Sequence, residues 1–302
     1  MYKAKELGKG RFEAFEVHLH DTALKRLEMR RDVRLALERD EFLLHYQPIV
    51  QLDNESISGV EALVRWQHPD RGLLTPQTFL PMLEETGLIV DLGRWVLVHA
   101  LRQARSWQTT AAAFADLGIA INLSVVQLQR PTLVDDVATA IAETGIDPST
   151  VTLEITESVF MEDSDQALQR LRALKQIGVR LAIDDFGTGY SSLSYLARFP
   201  IDTLKIARQF VAASHDGSRH AALVGATTGI SRSLGLRTVA EGIEDRRQCD
   251  FVRDLGCELG QGFFFSQPLD ADAMSALLLA IASKDHVSPV RMVRLEPGSA
   301  AA

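Results

Sequence analysis

Residues 151–185 read VTLEITESVFMEDSDQALQRLRALKQIGVRLAIDD, and their pattern decides the fold. Residues 151–156 form a β-rich run, 165–177 follow a helical period, and 179–184 return to β-rich composition. The same alternation runs through the chain. Short β-rich runs fall at 43–50, 57–66, 118–124, 203–206, 238–241 and 260–265, and helical stretches at 88–108, 133–144, 218–234, 244–254 and 271–282. Strands alternating with helices predict a parallel sheet, and seven or eight repeats favour closure into a TIM-like (β/α)8 barrel over an open sheet. No G-x-G-x-x-G follows the first strand, which weakens the dinucleotide-fold alternative.

A chain of 302 residues with 46% apolar content suits one barrel of about 250 residues with short extensions. The expected organisation is a barrel over 30–282, a linker helix with a mostly solvated face at 21–40, and a disordered tail at 284–302. The formal charge of −8 disfavours broad binding to nucleic acid polymers or anionic membrane, so a phosphate-bearing ligand needs local cations or metals. Cys249 and Cys257 match neither zinc nor redox spacing and fit a cytoplasmic chain without a disulfide. Residues 1–15 lack an apolar signal core, and Asp91 and Arg94 interrupt the apolar stretch 88–101. No membrane contact is expected of this segment, which leaves any anchoring to a longer parent.

Active sites of parallel barrels lie at the C-terminal strand ends, so polar residues that close apolar runs are the candidates. Glu61, Asn122, Glu154, Asp184, Asp185 and Glu241 all close such runs. Alternation puts Glu61, Leu63 and Arg65 on one face of their strand, and Glu157 follows the strand bearing Glu154. Lys205 adds a cation and Gln261 an amide between glycines. A single strand-end acid is ordinarily a surface group, and Gly187-Thr188-Gly189 alone is ordinarily a turn. Their recurrence at successive strand ends changes the reading, because converging carboxylates need a cation to offset desolvation. An oxygen-only donor set with an amide suits Mg²⁺ or Mn²⁺ rather than Zn²⁺, and the adjacent pair Asp184-Asp185 can bridge two ions for phosphoryl hydrolysis.

These segments together resemble the EAL-domain family of cyclic di-GMP phosphodiesterases. The resemblance rests on Glu61-Ala62-Leu63-Val64-Arg65-Trp66, Ile121-Asn122-Leu123-Ser124, Leu153-Glu154-Ile155-Thr156-Glu157-Ser158, the run from Asp184-Asp185-Phe186-Gly187 to Leu193, Ala240-Glu241-Gly242, and Gln261-Gly262-Phe263. It implies an EAL-type barrel that linearises cyclic di-GMP to pGpG with two Mg²⁺ or Mn²⁺ ions, and Ca²⁺ is expected to inhibit. By that resemblance Glu61, Asn122, Glu154 and Asp184 hold the first ion, and Asp184, Asp185 and Glu241 the second. Lys205, Glu241 and Glu61 serve the chemistry, with Lys205 orienting the attacking water. Arg65 contacts a substrate phosphate or guanine, Gln261 sits near the second ion or its waters, and Glu157 braces the loop after Asp185. The family also implies a homodimer, formed around Tyr190 to Pro200 by Leu193, Tyr195, Leu196 and Phe199; core packing is the other reading of those side chains. Residues 1–11 resemble the end of a GGDEF domain, so residues 1–20 read as a remnant of an upstream GGDEF-type partner domain.

One position departs from the family. The lysine motif runs Lys205-Ile206-Ala207 where the family has Lys-Ile-Asp. Loss of an outer partner of the lysine typically costs about 10–100-fold in activity or metal affinity. The competing reading is therefore a catalytically weak receptor or regulatory module for cyclic di-GMP. A more distant one is a Mg²⁺-dependent barrel acting on another phosphate ester.

Overall fold

The structure, a computed structural model, describes residues 31–161, 164–189, 196–212 and 219–283. The expected GGDEF remnant at 1–20, the first half of the linker helix and the tail at 284–302 lie outside the described residues.

Eight strands close a barrel: β1 (Phe42–Gln51), β2 (Ile57–His68), β4 (Gly118–Leu123), β5 (Val151–Thr156), β6 (Arg180–Phe186), β7 (Thr203–Ile206), β8 (Arg237–Ala240) and β9 (Leu259–Gly260). A short β3 (Gly72–Leu74) hangs on β2 as an appended hairpin. From β2 through β9 the barrel is parallel, but β1 runs antiparallel to both its neighbours. The uniformly parallel sheet expected from the alternation is thus corrected at one strand. Residues 51–56 explain it, since a parallel crossover needs about a dozen residues or more and this connection permits only a hairpin.

Helices pack around the outside. They are α1 (31–38), α2 (Pro76–Thr86), α3 (Ile89–Thr110), α4 (Val125–Leu128), α5 (Leu133–Thr144), α6 (Ser164–Ile177), α7 (Arg208–Ala212), α8 (Arg219–Leu234), α9 (Arg246–Asp254) and α10 (Ala271–Ala282). Side-chain caps set several starts: Asp245 accepts from the Gln248 amide, Asp270 from the Ala273 amide, and Ser124 and Gln127 form a reciprocal capping box. Each satisfies a helix-end donor that has no intrahelical partner.

The face of β1 carrying Phe42, Leu44 and Tyr46 is buried under helices. Phe42 contacts Trp66, Phe79 and Trp95, and Tyr46 meets Trp107 edge-on at 4.8 Å between centroids. The opposite face, carrying Gln47, turns to the barrel interior. In α1, Val33 and Ala36 are fully buried in the same core, so this end of the expected linker helix docks on the barrel by one face while its other positions are partly or fully exposed. Leu196 and Phe199 are also core residues.

The sixth parallel-running connection brings one further correction. The β-rich run expected at 260–265 is a strand only to Gly260, after which the chain turns, with Phe265 and Ser266 amides donating to the Gly262 carbonyl. The turn packs on the loop after Glu241, where the Ile243 amide donates to Gln261 O and Phe264 N to Ile243 O. Among the described residues no helix is long and apolar enough to cross a membrane.

Candidate active site

β7 is buried at all four positions, and its lysine is the anchor of the site. Lys205 is 1% exposed, and its Nζ lies 2.6 Å from Glu154 Oε2, 2.7 Å from Glu241 Oε1, 3.3 Å from Asp184 Oδ1 and 3.5 Å from Glu61 Oε2. Four strands therefore deliver a carboxylate to one ammonium: β5 and β6 near their C-terminal ends, β8 just past its end, and the long β2 from mid-strand, where Glu61 is followed by seven more strand residues. Register accounts for the convergence, since Asn122 pairs with Glu154 and Thr156 with Asp184 across adjacent strands.

Two amides complete the inner face. Asn122 Nδ2 donates to Glu61 Oε1 at 2.6 Å, and Gln261 Nε2 donates to Glu61 Oε2 at 2.7 Å and to Gln47 Oε1 at 2.9 Å. Gln47 donates in turn to the Ser266 carbonyl. Sequence reading missed Gln47, although the short hairpin that makes β1 antiparallel also sets Gln47 opposite Glu61.

Simple alternation would send Asp184 and Asp185 to opposite faces. The β6–β7 ladder slips between Ile183 and Phe186, and Asp185 takes a left-handed backbone with φ 53°. This bulge re-aims the second acid. Asp184, Asp185 and Glu241 each bring one carboxylate oxygen within 4.8 Å of the others. Beyond the bulge, buried Glu157 accepts from the Gly187 amide at 3.0 Å and the Gly189 amide at 3.3 Å, tying the loop after Asp185 to the strand end of β5.

Arg65 stands at the edge of this group: burial lowers its guanidinium pKa, and the charge of Glu61 acts in the opposite direction. Its guanidinium donates to the Val64 carbonyl at 2.8 Å, and it does not line the cleft above the acids. It shares a face with Glu61 but stands four residues along the strand, a separation of roughly 13 Å.

The electrostatics are those of a site built for added positive charge. Burial raises the Glu154 carboxyl well above the usual range, with Lys205 opposing and Glu61 and Asp184 adding to the shift. Burial pushes Glu241 up to about 8, and Asp185 is raised by burial and then by Asp184. Burial alone would lower the Lys205 ammonium, yet the carboxylates, Glu154 first, raise it well above its ordinary value. One fixed cation faces four carboxylates within 3.5 Å, so the cluster keeps a negative excess when ionised. Gln261 Oε1 is buried without a hydrogen-bond partner, a further oxygen available to a cation or its waters. The donor set, all oxygen, fits hard divalent ions.

Fold and site together define a class: an α/β barrel with an oxygen-rich cluster able to hold a cation, centred on a buried lysine. Within that class the chain belongs to the EAL domain family, whose model matches residues 30–268. The bifunctional diguanylate cyclase/cyclic di-GMP phosphodiesterase MucR of Pseudomonas aeruginosa is 45% identical over 276 residues, covering 91% of this chain and 40% of the relative. The cyclic di-GMP phosphodiesterase PdeR of Escherichia coli K12 is 38% identical over 273 residues, 90% of this chain and 41% of the relative. The solved structure of PaMucR phosphodiesterase in complex with c-di-GMP superposes with a TM-score of 0.78 at 46% identity, covering 82% of this chain and 99% of that one. This chain spans about two-fifths of the length of these two curated relatives.

Proposed function

We propose that this chain hydrolyses cyclic di-GMP to linear pGpG. The observation that carries the reading is Lys205, buried at the strand ends within 3.5 Å of four carboxylates, in a chain whose relatives MucR and PdeR are named cyclic di-GMP phosphodiesterases.

Glu61, Asn122, Glu154 and Asp184 are the ligands for one divalent ion, and Asp184, Asp185 and Glu241 for a second, Mg²⁺ or Mn²⁺. Such ions, when bound, supply Lewis acidity to the phosphoryl oxygens and a water acidic enough to lose its proton near neutral pH. Lys205 keeps its proton, so it acts as a donor that orients the attacking water and offsets charge on phosphorus-bound oxygens. Glu154 and Glu241, at 2.6 and 2.7 Å, hold the ammonium most closely, with Glu61 at 3.5 Å. Gln47 fixes the Gln261 amide so that its NH₂ faces Glu61, and Glu157 keeps the Asp185 loop closed on the site. Attack by water forms one P–O bond, the bond to the ring 3′ oxygen breaks, and the departing alkoxide takes a proton to give the linear dinucleotide.

Ala207, 1% exposed, supports a second reading in which the domain binds cyclic di-GMP without turning it over. A homodimer and an upstream GGDEF-type domain in a longer parent belong to the same proposal. The test is chromatographic detection of pGpG from cyclic di-GMP with Mg²⁺ or Mn²⁺, alongside Glu61→Ala, and again with excess Ca²⁺. Product from the parent chain, lost in the variant and suppressed by Ca²⁺, is the expected result. Tight calorimetric binding without product would leave the receptor reading standing.

A further inference from the structure

Above the acids opens a cleft of about 770 Å³, lined in part by Glu61, Leu63, Gln77, Glu241, Gln261 and Phe263. Two more lining residues, Arg208 and Glu244, pair with each other across its edge through Arg208 Nη2 and Glu244 Oε1. Among the described residues that line it, Arg208 is the single cation, against three acids.

A ring with two phosphodiesters brings one phosphate to the lysine and its carboxylates and must seat the other elsewhere. Acidic walls repel it, and a planar guanidinium matches phosphate geometry with two parallel donors. We propose that Arg208 binds the non-reacting phosphate of the substrate, and that Glu244 holds the guanidinium in place until the substrate displaces it. This inference rests on the cyclic di-GMP reading of the site and names a residue for its specificity.

The local build supports the role. Arg208 opens α7, three residues after Lys205, so the segment that follows the strand of the buried lysine places the cation at the mouth. Its stem lies across Gly242, where a Cβ would stand 2.1 Å from Arg208 Cγ and 2.6 Å from its Cβ. The glycine after Glu241 thus leaves the path along which the arginine crosses from β7 to the loop of β8. The side chains of Arg208 and Glu244 are 65% and 46% exposed, and an exposed pair of this kind exchanges readily for a stronger anion.

The experiment is steady-state hydrolysis of cyclic di-GMP with Mn²⁺ by the full chain, by Arg208→Ala, Arg208→Lys and Glu244→Gln, each checked for an unchanged melting temperature. Arg208→Ala is expected to raise KM about 10–100-fold with kcat within about threefold, the mark of lost uniform binding. Its KM should also depend less on salt, and Arg208→Lys should fall between. Glu244→Gln frees the guanidinium and is expected to lower KM about two- to fivefold. An unchanged KM in Arg208→Ala, with a wild-type chain that cleaves, overturns the assignment while leaving the activity intact. So does a KM raised as far by Glu244→Gln as by Arg208→Ala, which would make the pair a structural staple. If the wild type binds cyclic di-GMP without cleaving it, calorimetric Kd values of the same variants decide by the same ratios. If it neither binds nor cleaves, this inference fails together with the functional reading.

Discussion

Lys205 Nζ lies 2.6 Å from Glu154 Oε2, and neither side chain is more than 2% exposed. Removing one member of a buried ion pair leaves the other desolvated and unpaired, at a typical cost of about 3–5 kcal/mol. Lys205→Met should therefore lose about that much unfolding free energy in EDTA, as measured by urea titration, besides losing pGpG formation. Mn²⁺ should restore part of the stability, because a divalent ion held by the same carboxylates replaces the missing charge. Equal stability losses with and without Mn²⁺ would count against a cation site here.

The pH dependence of the metal-free chain follows from Glu241. Its folded-state carboxyl, pushed up to about 8 by burial, lies above the usual carboxylate value of about 4.3. Between those values the folded state keeps a proton that the unfolded chain has released, so stability falls as pH rises through the window. Glu154, raised for the same first cause, acts in the same direction. The urea midpoint in EDTA should decline from about pH 5 to about pH 8, and Glu241→Gln should flatten the decline. A midpoint that rises over this range would refute the assignment.

Glu157 is predicted to act through the loop rather than at phosphorus. Its Oε2 accepts from two loop amides, and losing a charged acceptor costs about 1.5–3 kcal/mol per bond. In Glu157→Ala the Gly187 and Gly189 amides should exchange hydrogen faster, with product formation reduced. Glu157→Gln retains an acceptor oxygen and should recover most of the protection. If exchange at both amides stays slow in the alanine variant, the brace is elsewhere.

Ala207 marks the departure from the family pattern and is fully enclosed. Ala207→Asp should raise pGpG formation about 10-fold if an outer partner of Lys205 is what the chain lacks. The added carboxyl must be desolvated, so the same variant should melt lower in EDTA than the parent. No gain in turnover would show that the position contributes little in this chain.

Much of the barrel is legible in the sequence because period-2 runs alternating with helical ones carry both element type and order. Strand direction is not carried by that period, which is why β1 read as parallel until the brevity of residues 51–56 is weighed. The acids were found by the rule that polar residues close barrel strands, and Lys205 by the same rule. Gln47 escaped it because it closes no apolar run: β1 runs the other way and presents it from mid-strand, opposite Glu61. Arg208 was invisible as a site residue since α7 begins only after β7 ends, and its place at the cleft depends on Gly242, a contact between residues 34 apart in the chain.

The reversed polarity of β1 also fixes where the chain enters the barrel. Phe42 pairs with Trp66, near the end of β2 that lies beyond Glu61, so α1 docks at the C-terminal end of that strand and not beneath the barrel floor. Asp32 of α1 comes within 3.7 Å of His68 at that same end. The chain thus comes to the barrel from the side towards which β2 runs past Glu61, and β1 carries it down from there to Gln47.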